Sequence, residues 1–88
     1  MVHVYRIYTE KTKSMSAQIE AVSERFESFT MIETQGYWKG IPEPSVIFEI
    51  ISDWPIDLTV EASAMTIKRL GQQQAVLVTQ HEIDSHLV

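Results

Sequence analysis

The chain contains no cysteine, which removes thiol nucleophiles, disulfide staples and cysteine-based zinc sites together. Positive charge is also scarce: seven Lys and Arg stand against twelve Asp and Glu, a formal net charge of -5. Such a balance builds no field able to gather a polyphosphate backbone, so nucleic acid is not expected as a partner; a local basic pocket for one small anion stays open. No apolar run approaches the roughly 18 to 20 residues that a membrane span requires. The opening MVHVYRIYTEKTK lacks the basic segment and apolar stretch of a secretory leader. The expectation is a soluble cytoplasmic protein with no membrane partner. The sequence motifs of common catalytic and nucleotide sites are missing too: there is no G-x-S-x-G, P-loop, dinucleotide-binding glycine pattern or H-E-x-x-H.

What remains is an ordinary globular composition. Of 88 residues, 44% are hydrophobic and 22% charged, enough for one domain over residues 1–88 that folds without a metal or cofactor. Residues 2–9, VHVYRIYT, alternate and are rich in β-branched and aromatic types, predicting a strand. Met15, Ile19, Val22 and Phe26 then form a helical stripe with Ser14 or Ser16 as N-cap. From Phe29 the pattern returns to strand through GYWKG, with Gly36 read as a bulge or as a place where a neighbour passes too close for a side chain. Pro42 and Pro44 read as a connection, since they cannot both donate to a ladder, and SVIFEIIS follows as the third strand.

After the break SDWPID, Val60, Ala64 and Ile67 share a helical face. Asp57 and Glu61 stand at the end that favours negative charge, Lys68 and Arg69 at the end that favours positive charge, and Gly71 follows as an αL cap. QQAVLVTQHEI predicts the last strand, and residues 84–88 a flexible tail. The order β-α-β-β-α-β is the ferredoxin-like pattern, an α+β fold with a four-stranded antiparallel sheet and both helices on one face. The first and third strands are then central, and the second sheet face has no helix to cover it. Val46, Phe48 and Ile50 occupy one side of the third strand and Ile47, Glu49 and Ile51 the other, so both sides are apolar apart from one carboxylate. Residues 45–52 are therefore expected to be shielded above and below, by another copy, a partner or a ligand.

Tyr37 and Trp38 are strand neighbours and must point to opposite sides. One is expected under the helices and the other on the open face or its rim, as core, dimer-interface or ligand-stacking aromatics. Glu49, a carboxylate between two isoleucines, requires a partner, with Arg6, His81 and Lys39 as candidates. His81, Glu82, Asp84 and His86 do not form a compact metal motif, and no metal is expected; His3 is a possible neighbour of His81 across the sheet.

At GYWKG, EPS, IFEII and GQQQAVLVT the chain resembles a family of small uncharacterised proteins of bacteria and their phages, over roughly its C-terminal two thirds. That resemblance implies a ferredoxin-like domain and supplies no catalytic residue or cofactor. It suggests a small binding or interaction protein, located in the host cytoplasm if phage-encoded. Such a protein would form a homo-oligomer and bind a host protein or sequester a small ligand such as a signalling nucleotide. A nucleotide would stack on Trp38 or Tyr37, with Lys39, Arg6 or Arg69 near phosphate. Tyr37, Trp38, Lys39, Glu49, Arg6 and His81 are the candidate ligand residues. The alternative from another class is a small dimeric enzyme using Glu49 or a histidine as acid-base group.

Overall fold

The computed structural model describes residues 2–86. The elements are β1 (Val2–Glu10), α1 (Met15–Arg25), β2 (Thr30–Trp38), β3 (Ile41–Ser52), α2 (Leu58–Leu70) and β4 (Leu77–Ile83). The strands form one antiparallel sheet in the order β2-β3-β1-β4. This is the ferredoxin-like α+β arrangement that the hydrophobic periods predict, with β1 and β3 central.

Register explains the core. Tyr5 stands opposite Ile50, Ile7 opposite Phe48 and Thr9 opposite Val46, so one side of both central strands is a block of large apolar groups. Against it pack Val22 from α1 and Val60, Ala64 and Ile67 from α2, all buried. Phe29 joins at the start of β2, its ring 6.0 Å from that of Phe48. Each large apolar side chain taken out of water in this layer contributes about 1.5–3 kcal/mol. The stripe of α1 behaves as its spacing requires, with Met15, Ile19 and Phe26 partly buried beside Val22. Ser14 occupies the N-cap position of α1 without making a side-chain cap bond. Asp57 caps α2 fully, accepting from the amides of Thr59 at 2.9 Å and Val60 at 3.3 Å.

Three local expectations are corrected. Pro42 and Pro44 lie inside β3 rather than in a connection. The turn is the two-residue pair Lys39-Gly40, both at positive φ (49° and 77°), flanked by Trp38 paired with Ile41. Counting from that hairpin, even-numbered residues of β3 direct their backbone groups away from β2. The Pro44 carbonyl confirms it by accepting from the Lys11 amide at 3.0 Å. The prolines thus lack only N–H groups that the β2–β3 ladder never uses.

Gly36 is not a bulge: the register runs through it unbroken, opposite Glu43. Nor is it crowded, because a Cβ there would meet Ser45 Oγ at an ordinary 3.6 Å. Gly71 is not the αL residue; its φ is -84°, and Gln72 takes φ 53° instead. The amide of Gln73 returns to the Lys68 carbonyl and that of Gln72 to the Arg69 carbonyl, the Schellman pattern with glutamine at its left-handed position. Gly71 is small for a different reason. The fully buried Gln18 donates from Nε2 to the Ile67 carbonyl at 3.0 Å, and a Cβ on residue 71 would lie 2.9 Å from that nitrogen. As its two helices on one face require, the chain itself shields β3 from one side only: Ile47 is half-buried and Ile51 is 53% exposed. Both helices lie on the Phe48 side, so no helix among the described residues covers the other.

Two outcomes test these assignments. Gln72→Gly is expected to raise stability by about 1 kcal/mol by removing left-handed strain, while Gly71→Ala lowers it by about 1–2 kcal/mol by displacing the Gln18 bond; urea titration reads both. Burial, reinforced by the nearby charges of Asp57 and Glu61, raises the Tyr5 phenol above its ordinary 10.0. The unfolded chain therefore releases this proton first, and stability present below pH 10 is lost as pH rises beyond it. Tyr5→Phe, which also gives up the 2.6 Å bond to the Trp54 carbonyl, is expected to be less stable at neutral pH and to lose less between neutral and strongly alkaline pH. Thermal melts of both proteins across that range provide the comparison.

Candidate interaction surface

The side of the sheet opposite the helices follows from the register. Leu77, Tyr8, Ile47 and Ile32 form a row across all four strands. The next row is Thr79, Arg6, Glu49 and Thr30, and beyond it come His81, Val4 and Ile51. Leu77 is 60% exposed, while Tyr8 and Ile47 are half-buried beneath their neighbours. An apolar band flanked by one ion pair therefore lies open to water.

Glu49 finds its partner among the expected candidates. Arg6, directly opposite on β1, donates from Nη2 to Glu49 Oε1 at 3.2 Å. Both side chains keep partial access to solvent, so the bond anchors the middle of the face without being a deeply buried charge pair. His81 faces the same side opposite Val4, two strands over and two residues along from Glu49, or about 12 Å at ordinary strand spacing. His3 does not meet His81: it stands opposite Glu82 and therefore on the helix side, where Gln80 Nε2 lies 3.2 Å from its Nδ1. No cluster of three or more potential metal ligands exists among the described residues.

The aromatic hairpin departs further from expectation. Tyr37 does point to the helix side and Trp38 to the open side, but they are 69% and 63% exposed. Neither is core. β1 gives out opposite Ser45, so the end of the β2–β3 hairpin projects past the helix-covered sheet as an arm. At its tip Lys39 Nζ sits 5.6 Å from the centre of the Trp38 ring. Eight residue steps along β3 separate Ile41, beside Trp38, from Glu49, about 26 Å of extended chain. Tyr37, Trp38 and Lys39 thus form one group, and Arg6 with Glu49 another. At the root of the arm is an open groove of about 530 Å³, lined by Trp38, Glu10, Glu43 and the loop Gln72 to Ala75. Arg69 lines a separate groove of about 290 Å³ with Met65 and Lys68 on α2.

Gln18 is a buried polar residue that the apolar stripe did not single out. It donates to the Ile67 carbonyl and ties α1 to the last turn of α2, while its Oε1 has no partner among the described residues. On the open side, Thr79 Oγ1 is likewise covered and unpartnered. An amide in a helix stripe leaves no sequence signal beyond its position, which lies one residue before Ile19.

No family model and no curated protein matches the chain. Solved structures do. The chain is similar to CutA from the phytopathogen Xylella fastidiosa, with a TM-score of 0.60 at 11% identity over 98% of this chain and 86% of that one. The periplasmic divalent cation tolerance protein CutA from Archaeoglobus fulgidus gives 0.52 at 13% identity, covering 99% and 88%. The de novo designed protein Foldit4 gives 0.56 at 22% identity, covering 94% and 97%. At these identities the likeness shows the shared fold and nothing about activity.

In protein dilute enough to be monomeric, a double-mutant cycle of Arg6→Met and Glu49→Gln is expected to yield a coupling of about 0.5–1 kcal/mol in urea unfolding, the range of a half-exposed ion pair. A coupling several times larger would mean that this face is desolvated under the conditions of the measurement.

Proposed function

We propose that the chain is a non-enzymatic interaction protein whose uncovered sheet face binds a second copy of itself. The reading rests on one observation: the row Leu77, Tyr8, Ile47 and Ile32 crosses the whole sheet with no helix over it, and Ile51 lies beyond it more than half exposed. An apolar surface of this continuity is what an isologous contact buries. The charges support a like partner. Arg6 and Glu49 sit side by side at the centre of the face, and a two-fold axis between facing sheets brings each against the opposite charge of the other copy.

A catalytic role has less behind it. Glu49 is engaged by Arg6, His81 lies two strands away and His3 faces the other side, so no acid and base converge on a reacting atom. For a nucleotide, the groove beside Trp38 carries Glu10 and Glu43, whose charges oppose a phosphate. The proposal therefore takes a protein surface as its partner. The resemblance to small bacterial and phage proteins accords with a binder of this kind and adds no activity to it.

Sedimentation at micromolar concentration tests the reading. The wild-type chain is expected to travel as a dimer or larger species. The double variant Ile51→Glu with Leu77→Glu, which places charge at two exposed positions of the face, is expected to travel as a smaller species than the wild type, with its melting temperature unchanged to within about 4 °C. A wild-type protein that is monomeric, or a double variant that associates as strongly as the wild type, refutes it.

A further inference from the structure

A second surface of the same chain lacks a partner, and its chemistry differs from that of the open face. β2 is an edge strand, nine residues long, paired without interruption to β3 from Thr30 to Trp38. All of it except Gly36 is exposed. Edge strands of lone proteins are commonly blunted by proline, lysine, a bulge or a covering loop. β2 has none of these devices, and Glu33 is its one charge. On the opposite margin of the same hairpin, Pro42 and Pro44 remove two outward N–H groups and Lys11 takes the Pro44 carbonyl. One margin of the arm is closed to a further strand and the other is open.

The hairpin register identifies the free groups. Trp38 faces Ile41 across the two-residue turn, so Trp38, Gly36, Thr34, Ile32 and Thr30 exchange backbone bonds with β3. The amides and carbonyls of Met31, Glu33, Gln35 and Tyr37 therefore point outward. We propose that these four residues pair β2 with β2 of a second copy, antiparallel about a two-fold axis through Thr34, joining the two sheets edge to edge.

Register follows from charge and from the number of bonds. An axis through Glu33 sets that carboxylate, bonded to Lys11 at 3.1 Å, against its own twin and carries Tyr37 opposite Phe29, which lies outside β2, so it too loses a pair. An axis through Gln35 carries Met31 opposite Lys39, a turn residue at positive φ, and loses a pair. The axis through Thr34 uses all four outward residues: Glu33 meets Gln35 of the other copy, whose amide can donate to it, and Met31 meets Tyr37, a sulfur against a ring. On the open side Ile32 falls opposite Gly36. That supplies a reason for a glycine that neither a turn nor crowding within the chain requires. This contact is separate from the one proposed for the sheet face, and either can exist without the other.

Residue-resolved amide exchange, with the association constant from sedimentation, is the test, performed on the wild type and on the Ile51→Glu, Leu77→Glu variant so that the face does not contribute. At micromolar concentration the amides of Met31, Glu33, Gln35 and Tyr37 are expected to exchange at least about 100-fold more slowly than in dilute protein. Exchange at a fixed rate regardless of concentration overturns the proposal. Charge at position 35 then tests the register. Gln35→Lys, opposite Glu33, is expected to tighten association by about three- to tenfold, and Gln35→Glu to weaken it by as much. Both variants weakening together would place the axis at residue 35, and neither having an effect would place it at residue 33 or remove β2 from the contact; each overturns the assignment. Position 35 is exposed and bonded only to the Tyr37 hydroxyl, so neither change threatens the fold.

Discussion

Everything in this molecule depends on the pairing of β1 with β3. Their register, Tyr5 with Ile50 and Ile7 with Phe48, gathers large apolar side chains from two distant parts of the chain onto one side of the sheet. The helices have apolar stripes that match that side and no other. A slip of one residue would turn Ile47, Glu49 and Ile51 under the helices and place a carboxylate in the core. The same alternation that buries Phe48 dictates that Arg6 and Glu49 meet on the other face. Core and surface are thus set by a single register.

The chain closes its two helix ends in unlike ways. At the start of α2, Asp57 caps two amides and its other oxygen accepts from Ser52 Oγ at 2.8 Å, fastening the helix to the end of β3. Nearby, the Tyr5 hydroxyl and the Gln80 amide hold the carbonyls of Trp54 and Pro55. The loop is pinned by polar bonds although Trp54, Ile56 and Leu58 are exposed. At the end of α2 a glutamine stands in the left-handed position, and the glycine before it leaves room for the Gln18 amide between the helices.

The surfaces left unpartnered are of two physical kinds, and they sit on opposite terms with solvent. The open face offers side-chain area, Leu77 and Ile51 above all, and its charges are balanced at its centre. The β2 edge offers backbone hydrogen bonds at a fixed spacing. Prolines on the far margin of the hairpin show that this fold can deny an edge to a further strand where the backbone permits it. Binding by such a chain needs no converging catalytic groups, and the histidines are dispersed between both sheet faces and the segment after β4.

Much of the fold was legible in the residues alone. Strand and helix order, the helix faces, the central place of β1 and β3 and the uncovered side all follow from the periods of hydrophobic residues, which are local properties of the chain. Arg6 was among the partners anticipated for Glu49, but only the pairing of residues 43 positions apart selected it over His81 and Lys39. The prolines misled because a missing N–H has a direction, and which side of a strand it faces is known only once the hairpin's turn is placed. Tyr37 and Trp38 misled because alternation tells which way a side chain points and not whether anything lies there. Gly71 was assigned the left-handed role by its residue type, while the deciding object, the Gln18 amide, came from another helix. Sequence by itself determined which groups each element would present, since that depends on neighbours a few residues away. Tertiary structure alone decided which of those groups meet, because distances across a sheet or between helices are set by register and packing that no short segment contains.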